Sequence, residues 1–216
     1  MTSISVGYRL APEDPWPAAM HDCIDAAEHL VDQGPTMYGA KLMAIGGESA
    51  GAHLAVLTAF HLIRSRPGHP LACLVLISGM YDLTQTLPMS KNFTRPLVVN
   101  AEMAHQFIRA FLPGRSIEDR RNPQISPLYE DLNKLAKSAR AKKLPPAMFI
   151  CGTEDMLLDD TLLMSAKWMA TGSEAVVKIY PGAPHSFIAF ADYGLAREAA
   201  GLILEFVNDS VKIFNL

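Results

Sequence analysis

Basic excess, cysteine and long apolar runs are all scarce in this sequence. Its 19 Lys and Arg residues against 22 Asp and Glu leave a formal net charge of −3, which offers no electrostatic pull toward nucleic acid or an anionic membrane. The longest basic run, Lys137-Ser-Ala-Arg-Ala-Lys-Lys143, carries no aromatics and reads as a solvated helix end before Leu144-Pro-Pro146. Cys23, Cys73 and Cys151 are widely spaced in apolar surroundings. They read as buried thiols in a reducing compartment, and not as a disulfide framework or a zinc site. No uninterrupted apolar run is long enough to span a bilayer, and no signal peptide opens the sequence, so a cytoplasmic protein is expected. Metal-ligand spacing is also missing from the His, Cys and carboxylate residues. Gly46-Gly47 fits neither a P-loop nor a dinucleotide fingerprint.

What is present suits one large α/β domain, or a domain with a modest insertion. The 216 residues are 50% hydrophobic and 19% charged, enough to bury a core. The informative stretch runs from Lys41 to Phe60. A short apolar run, Leu42 to Ile45, enters a glycine-rich turn and leaves as an alanine- and leucine-rich helix. Within the turn, Gly47-Glu48-Ser49-Ala50-Gly51 has the G-x-S-x-G spacing of a nucleophile elbow. A serine on a sharp strand-to-helix turn occupies a strained conformation, and its neighbours two positions either side are expected to lack bulk so that strand and helix can approach. The strain lifts Oγ clear of the sheet, and the free N–H groups of the new helix face developing negative charge. Chance matches to this motif are frequent. The strand before and the helix after are what give it weight.

Met1 to Tyr8 alternates apolar and polar residues with the period of a strand. The prolines of Arg9 to Pro17 exclude regular structure there, and Pro17 starts a helix expected to stop at Gly34-Pro35. Leu71 to Ile77 is a continuous apolar run of the kind found in parallel strands covered on both faces. Residues 84–144 then hold no convincing strand, only helical patterns at Ala101 to Phe111 and Leu128 to Lys142. That is too long for an ordinary connection and reads as a helical cap insertion over the sheet edge. Its apolar side chains are either ordinary core or the wall of a substrate cavity. Strand and helix alternate again afterwards: strands at Ala147 to Cys151 and Ala175 to Tyr180, helices at Thr161 to Thr171 and Leu195 to Val211, with Leu195, Leu202, Phe206 and Ile213 on the last buried stripe. Repeated β-α units imply a mostly parallel sheet flanked by helices.

Catalytic groups of such a sheet collect beyond the carboxyl ends of its strands. Three loops there carry, in chain order, Ser49, Asp155 and His185, the order expected of an α/β-hydrolase triad. Each has a plainer reading. Ser49 could cap the next helix; Glu154, Asp159 and Asp160 compete with Asp155, the last two as helix caps; His185 could be a loop histidine on a backbone carbonyl. Of the other histidines, His21, His29, His53, His61 and His105 fall on helices and His69 precedes a strand. His53, four residues after Ser49, reads as a packing or capping residue.

The chain resembles a known family. Tyr8-Arg-Leu-Ala-Pro-Glu13, Trp16-Pro-Ala-Ala19, Asp22-Cys23, Gly47-Glu-Ser-Ala-Gly51, Asp155 and His185-Ser-Phe187 are similar to the hormone-sensitive-lipase-like branch of α/β-hydrolase esterases. The resemblance implies cofactor-free hydrolysis of small or medium acyl esters. It implies Ser49, Asp155 and His185 as a triad, with the Ala50 N–H as an oxyanion donor. Glu48 stands where that family often has Asp, Ala52 where glycine is common, and Met156 where proline often follows the acid. None of these changes a reacting atom. The family's His-Gly-Gly-Gly loop, which completes the oxyanion hole, and its first three strands precede the segment with which this sequence opens. An N-terminally truncated α/β-hydrolase is therefore expected, with a core at 1–83 and 145–216 and a cap at 84–144. Losing one oxyanion donor costs about 2.7–4 kcal/mol, so impaired turnover is expected. An exposed sheet edge would favour self-association or a companion N-terminal segment. A non-catalytic homologue, or a binding or interaction protein, is the other reading left open.

Overall fold

The computed structural model describes residues 2–214. Four parallel strands form one sheet in the order β1-β2-β3-β4, with β1 at Ala44–Glu48, β2 at Cys73–Ile77, β3 at Ala147–Glu154 and β4 at Ala175–Pro184. Helix α1 (Ala18–Tyr38) packs on α2 (Ala50–Ser65) through Ala19, Met20, Leu54 and Leu57. The insertion carries α3 (Pro88–Asn92), α4 (Ala101–Phe111), α5 (Ile117–Arg120), a 3₁₀ turn at Pro127–Tyr129 and α6 (Leu132–Ser138). Helices α7 (Leu158–Ala170) and α8 (Gly194–Phe214) follow β3 and β4.

Side-chain alternation along the strands divides the core. Leu74, Leu76 and Phe149 face α2, α6 and α7, where Phe60 and Trp168 stack with ring centroids 6.1 Å apart. Cys73, Val75, Met148 and Ile150 face the other way, toward Ala199 and Val207 of α8. Two covered faces explain why β2 and the first part of β3 are apolar throughout. Helix α4 begins where the Asn100 side chain accepts the Met103 N–H at 3.0 Å. In α5, Ser116 and Asp119 cap each other reciprocally.

Four expectations are corrected. Residues 2–10 are not a strand; a strand needs a hydrogen-bonded neighbour, and Thr2, Ser3 and Ile4 are separated from β1 by an open groove. Met1 lies outside the described residues. Helix α1 does not stop at Gly34-Pro35 but runs to Tyr38, closed by Gly39 at φ 63°. A proline ring pushes its predecessor out of the helical region chiefly through that residue's Cβ, and Gly34 has none. The helix expected from Leu128 to Lys142 is split, because the Asp131 side chain accepts the Lys134 N–H at 2.9 Å and starts α6 there. Ile213, expected on the buried stripe of α8, is 71% exposed, because it fronts an open concavity beside the starts of β3 and β4.

Candidate active site

Ser49 sits between β1 and α2 with φ 55° and ψ −117°, a conformation that costs a non-glycine residue about 1–3 kcal/mol. Its surroundings hold it there. The Ser49 N–H donates to the Ile77 carbonyl at 2.8 Å, and its own carbonyl accepts from Ala52 and His53 at 3.1 and 3.2 Å. A Cβ on Gly47 would lie 2.3 Å from the Gly51 carbonyl carbon, so helix and strand approach only because residue 47 has no side chain. A Cβ on Gly51 would meet nothing within 4 Å. The expectation of a steric need on both sides is therefore corrected: one glycine supplies its lack of bulk, the other only its backbone. Ala50, the first residue of α2, is exposed, and helix geometry leaves its N–H without an intrahelical acceptor.

The acid and the imidazole come from the ends of β3 and β4. Asp155 directly follows β3 and His185 directly follows β4; they are 0% and 2% exposed. Both strands run further than their apolar runs indicate, through an irregular register between Gly152 and Glu154. Gly152 makes that possible, since a Cβ there would lie 1.9 Å from the Ala183 carbonyl oxygen. Thr153 Oγ1 accepts the Gly182 N–H at 2.8 Å across the same gap. No feature of the local pattern marked Gly152 as more than a loop glycine; a glycine inside a longer strand was the available signal.

The three side chains meet. Both Asp155 oxygens are 3.0 Å from His185 Nδ1, and His185 Nε2 is 3.0 Å from Ser49 Oγ. An ionised carboxylate only accepts, so Nδ1 carries the proton, Nε2 is the acceptor and the Ser49 hydroxyl donates to it. Asp155 also accepts the Leu157 N–H at 2.9 Å, which fixes the carboxylate's orientation.

Asp155's sequence rivals are engaged elsewhere. Glu154 pairs with Arg95 of the insertion. Asp159 accepts the Met89 N–H at 2.8 Å, and Asp160 accepts the N–H groups of Tyr81 and Asp82 at 2.6 and 2.7 Å. Neither caps α7; Asp160 anchors the chain just past β2, and Asp159 anchors α3 of the insertion. Burial raises the Asp160 pKa to about 8, opposed by those two N–H bonds. His53 is buried on α2, bonded through Nε2 to the Ile125 carbonyl at 2.7 Å. Burial lowers its pKa to about 4, so it is neutral and donates, pinning the insertion to the elbow helix. Glu48, inside the elbow, keeps one buried oxygen without a partner. Burial raises its pKa, while His185 and the Ser186 hydroxyl pull it down.

An apolar pocket of ≈ 280 Å³ opens beside Ser49, walled by His53, Met80, Leu83, Ile108 and Phe111. A wider concavity, ≈ 870 Å³, lies between the far ends of α2 and α8 and contains none of the three convergent residues. Among the described residues no group of three or more His, Cys, Asp or Glu could hold a metal ion, and no helix is long and apolar enough to cross a membrane. Cys73 and Cys151 are buried and Cys23 is partly so, with burial raising the pKa of all three thiols.

An elbow after β1, with a carboxylate after β3 and an imidazole after β4, is also found in known proteins. A family model described as alpha/beta hydrolase fold matches residues 1–189. The chain belongs to that family. Within the alpha/beta-hydrolase fold it is related to the hormone-sensitive-lipase-like esterases. An esterase of Acinetobacter venetianus is 30% identical over 95% of this chain and 64% of its own length. An esterase of Pyrobaculum calidifontis superposes with a TM-score of 0.82 at 30% identity, covering 94% of this chain and 64% of that one. An esterase from the bacterial hormone-sensitive lipase family gives 0.76 at 29% identity, covering 95% and 64%. The chain spans between 54% and 64% of the length of the curated relatives it matches.

Proposed function

We propose that this alpha/beta-hydrolase is a serine hydrolase of small and medium carboxylic esters that works through an acyl-enzyme on Ser49. The observation that supports it is the continuous relay of 3.0 Å contacts from Asp155 through His185 to Ser49. Ser49 Oγ attacks the acyl carbon while His185 Nε2 takes its proton. The developing oxyanion is met by the Ala50 N–H. His185 then protonates the departing alkoxide, and a water that it deprotonates attacks the acyl-enzyme and frees Ser49. Asp155 keeps the imidazole in the required tautomer and stabilises the imidazolium. The ≈ 280 Å³ pocket lies just below the usual range for small-molecule sites, about 300–1,000 Å³, which suits short acyl chains. The relatives' names as esterases point to the same chemistry.

A polypeptide of residues 1–216 alone is an impaired enzyme in this reading. The elbow contributes the Ala50 donor, and lacking one further donor slows turnover by about 10²–10³-fold. The unpaired side of β1 also favours association through that edge, with a second copy or with a companion segment.

The deciding experiment is labelling with a fluorophosphonate, read by mass on the Ser49 peptide, alongside p-nitrophenyl acetate turnover. Labelling at Ser49 that disappears in Ser49→Ala and falls at least a hundredfold in His185→Ala is the expected result. A folded protein that neither labels nor turns over would instead be a non-catalytic homologue.

A further inference from the structure

The outer side of α4 carries a feature that ester hydrolysis does not use. A hollow of ≈ 590 Å³ there is lined by His105, Arg109, Gly114, Arg115, Ser116 and Arg120. His105 and Arg109 lie one turn apart on α4; the others come from the turn that follows and from α5. Arg9, Arg64, Arg66, Arg95 and Arg121 each pair with a carboxylate. Among the described residues Arg109, Arg115, Arg120, Arg140 and Arg197 have no such partner, and the first three of these open into this one hollow of a chain whose net charge is −3.

The neighbouring carboxylates are occupied. Asp119 accepts from the Ser116 N–H and hydroxyl at 3.0 and 2.7 Å, Glu118 pairs with Arg121 at 3.1 Å, and Glu102 accepts from Gln106 at 3.2 Å. Two of the guanidinium groups are held in place. Arg115 lies over the Trp16 ring, 5.1 Å from its centroid, and Arg120 Nε donates to the Arg115 carbonyl at 3.3 Å. That bond leaves the terminal nitrogens of Arg120 free to donate to a ligand. Asp119 lies near enough to Arg115 to feel its charge, but three guanidinium groups against that one carboxylate leave positive charge in excess, and a bound anion turns their mutual repulsion into attraction.

We propose that this hollow binds the phosphate group of a small anionic ligand. Three guanidinium forks exceed what the two oxygens of a carboxylate can accept side by side, whereas a terminal phosphate presents three oxygens and up to two charges. The opposite face of α4 supplies Ile108 and Phe111 to the pocket beside Ser49, so the two sites stand back to back on one helix. The proposal does not depend on the chain being an active esterase.

Trp16 makes the test direct, because its indole touches the hollow through Arg115 while Trp168, the other tryptophan, is 0% exposed. The whole chain is titrated with sodium pyrophosphate at constant ionic strength and followed by tryptophan fluorescence. A saturable change is expected, weakened about tenfold or more in Arg109→Gln and in Arg120→Gln; Arg115 is left in place so that the reporter is unaltered. Unchanged urea midpoints in the variants would show that they fold. Co-sedimentation with phosphatidylcholine vesicles containing phosphatidate identifies the source of the phosphate. Pelleting that the two substitutions abolish assigns it to a lipid headgroup, and pyrophosphate binding without pelleting assigns it to a soluble molecule. No binding in either arm, or binding of equal strength in the Arg109→Gln/Arg120→Gln double variant, overturns the proposal.

Discussion

Single residues decide whether Ser49, Asp155 and His185 meet, and two of these residues do so by having no side chain. Ala at position 47 would force its Cβ to within 2.3 Å of the α2 backbone, and at position 152 to within 1.9 Å of the Ala183 carbonyl. Neither neighbour is a flexible side chain. Gly47→Ala and Gly152→Ala are each expected to lower unfolding free energy by about 1–3 kcal/mol or more and to abolish labelling of Ser49. Gly51→Ala, which meets open space within α2, is expected to leave stability unchanged or raise it by up to about 1 kcal/mol; urea titration of the three variants checks this ordering. Two buried titratable groups set opposite pH slopes. His53, depressed to about 4, binds its proton more readily unfolded, so its contribution grows as pH rises from about 4 to its unfolded value near 6.5. Asp160, raised to about 8, holds its proton more tightly folded, so stability falls as pH rises from about 4 to 8. Between about pH 6.5 and 8 only the second slope acts. Urea midpoints are expected to drop across that window and to drop less in Asp160→Asn, by on the order of 1 kcal/mol per pH unit at most. The Ser49 spacing and the chain order of the acid and imidazole were legible because each rests on local pattern. Gly152 and Asp160 were not, because their partners are Ala183 in one case and Tyr81 and Asp82 in the other, brought near only by folding.

In the proposed esterase, helix α4 is the element expected to set substrate size. Ala104, Phe107, Ile108, Ala110 and Phe111 line the pocket by Ser49, while Arg109 lies in the hollow behind it. Its apolar face was legible as a helical stripe, but whether that stripe was core or cavity wall was not. A stripe records which face avoids water, and a core and a pocket make the same demand. Both occur here: Ala104 and Ile108 are 1% and 3% exposed, whereas Phe107 is 59% exposed at the mouth. Ala110→Phe is expected to fill part of the pocket. It should reduce kcat/KM for a p-nitrophenyl butyrate several-fold more than for the acetate, by about 1 kcal/mol per excluded methylene. Equal losses on both esters would show that α4 does not measure acyl length. The tie between Arg95 and Glu154 joins the insertion to the strand end carrying Asp155, but Arg95 is 58% exposed. Arg95→Ala is expected to change stability by less than about 1 kcal/mol, in contrast to replacing His53, whose loss leaves the buried Ile125 carbonyl unsatisfied.

At the scale of the whole molecule, β1 and β4 are the two edges of the sheet, and no described strand pairs the outer side of either. The outward groups of β1 face a groove bounded on its far side by Thr2, Ser3 and Ile4. Open ladder groups recruit other strands, so a polypeptide of residues 1–216 is expected to associate reversibly as its concentration rises. Ile4→Lys, which places a charge in that groove at an exposed position, should shift that equilibrium toward monomer, as read by sedimentation velocity. Concentration-independent monomer in both proteins would show that the groove is closed in solution.

What the sequence by itself determined was the parallel α/β architecture and the order in which serine, acid and histidine occur. Apolar runs of strand length, helical stripes and a short steric motif are all properties of neighbouring residues, and they survive whatever the rest of the chain does. The segment before Tyr8 shows the limit: its alternating pattern permits a strand, yet none forms where no neighbour supplies the ladder. Only the tertiary structure decided that Ser49, Asp155 and His185 touch, that Asp159 tethers the insertion and Asp160 the chain just before it, and that three arginines share one hollow. Those are contacts between segments far apart in the chain, and packing of the sheet against its helices sets such distances.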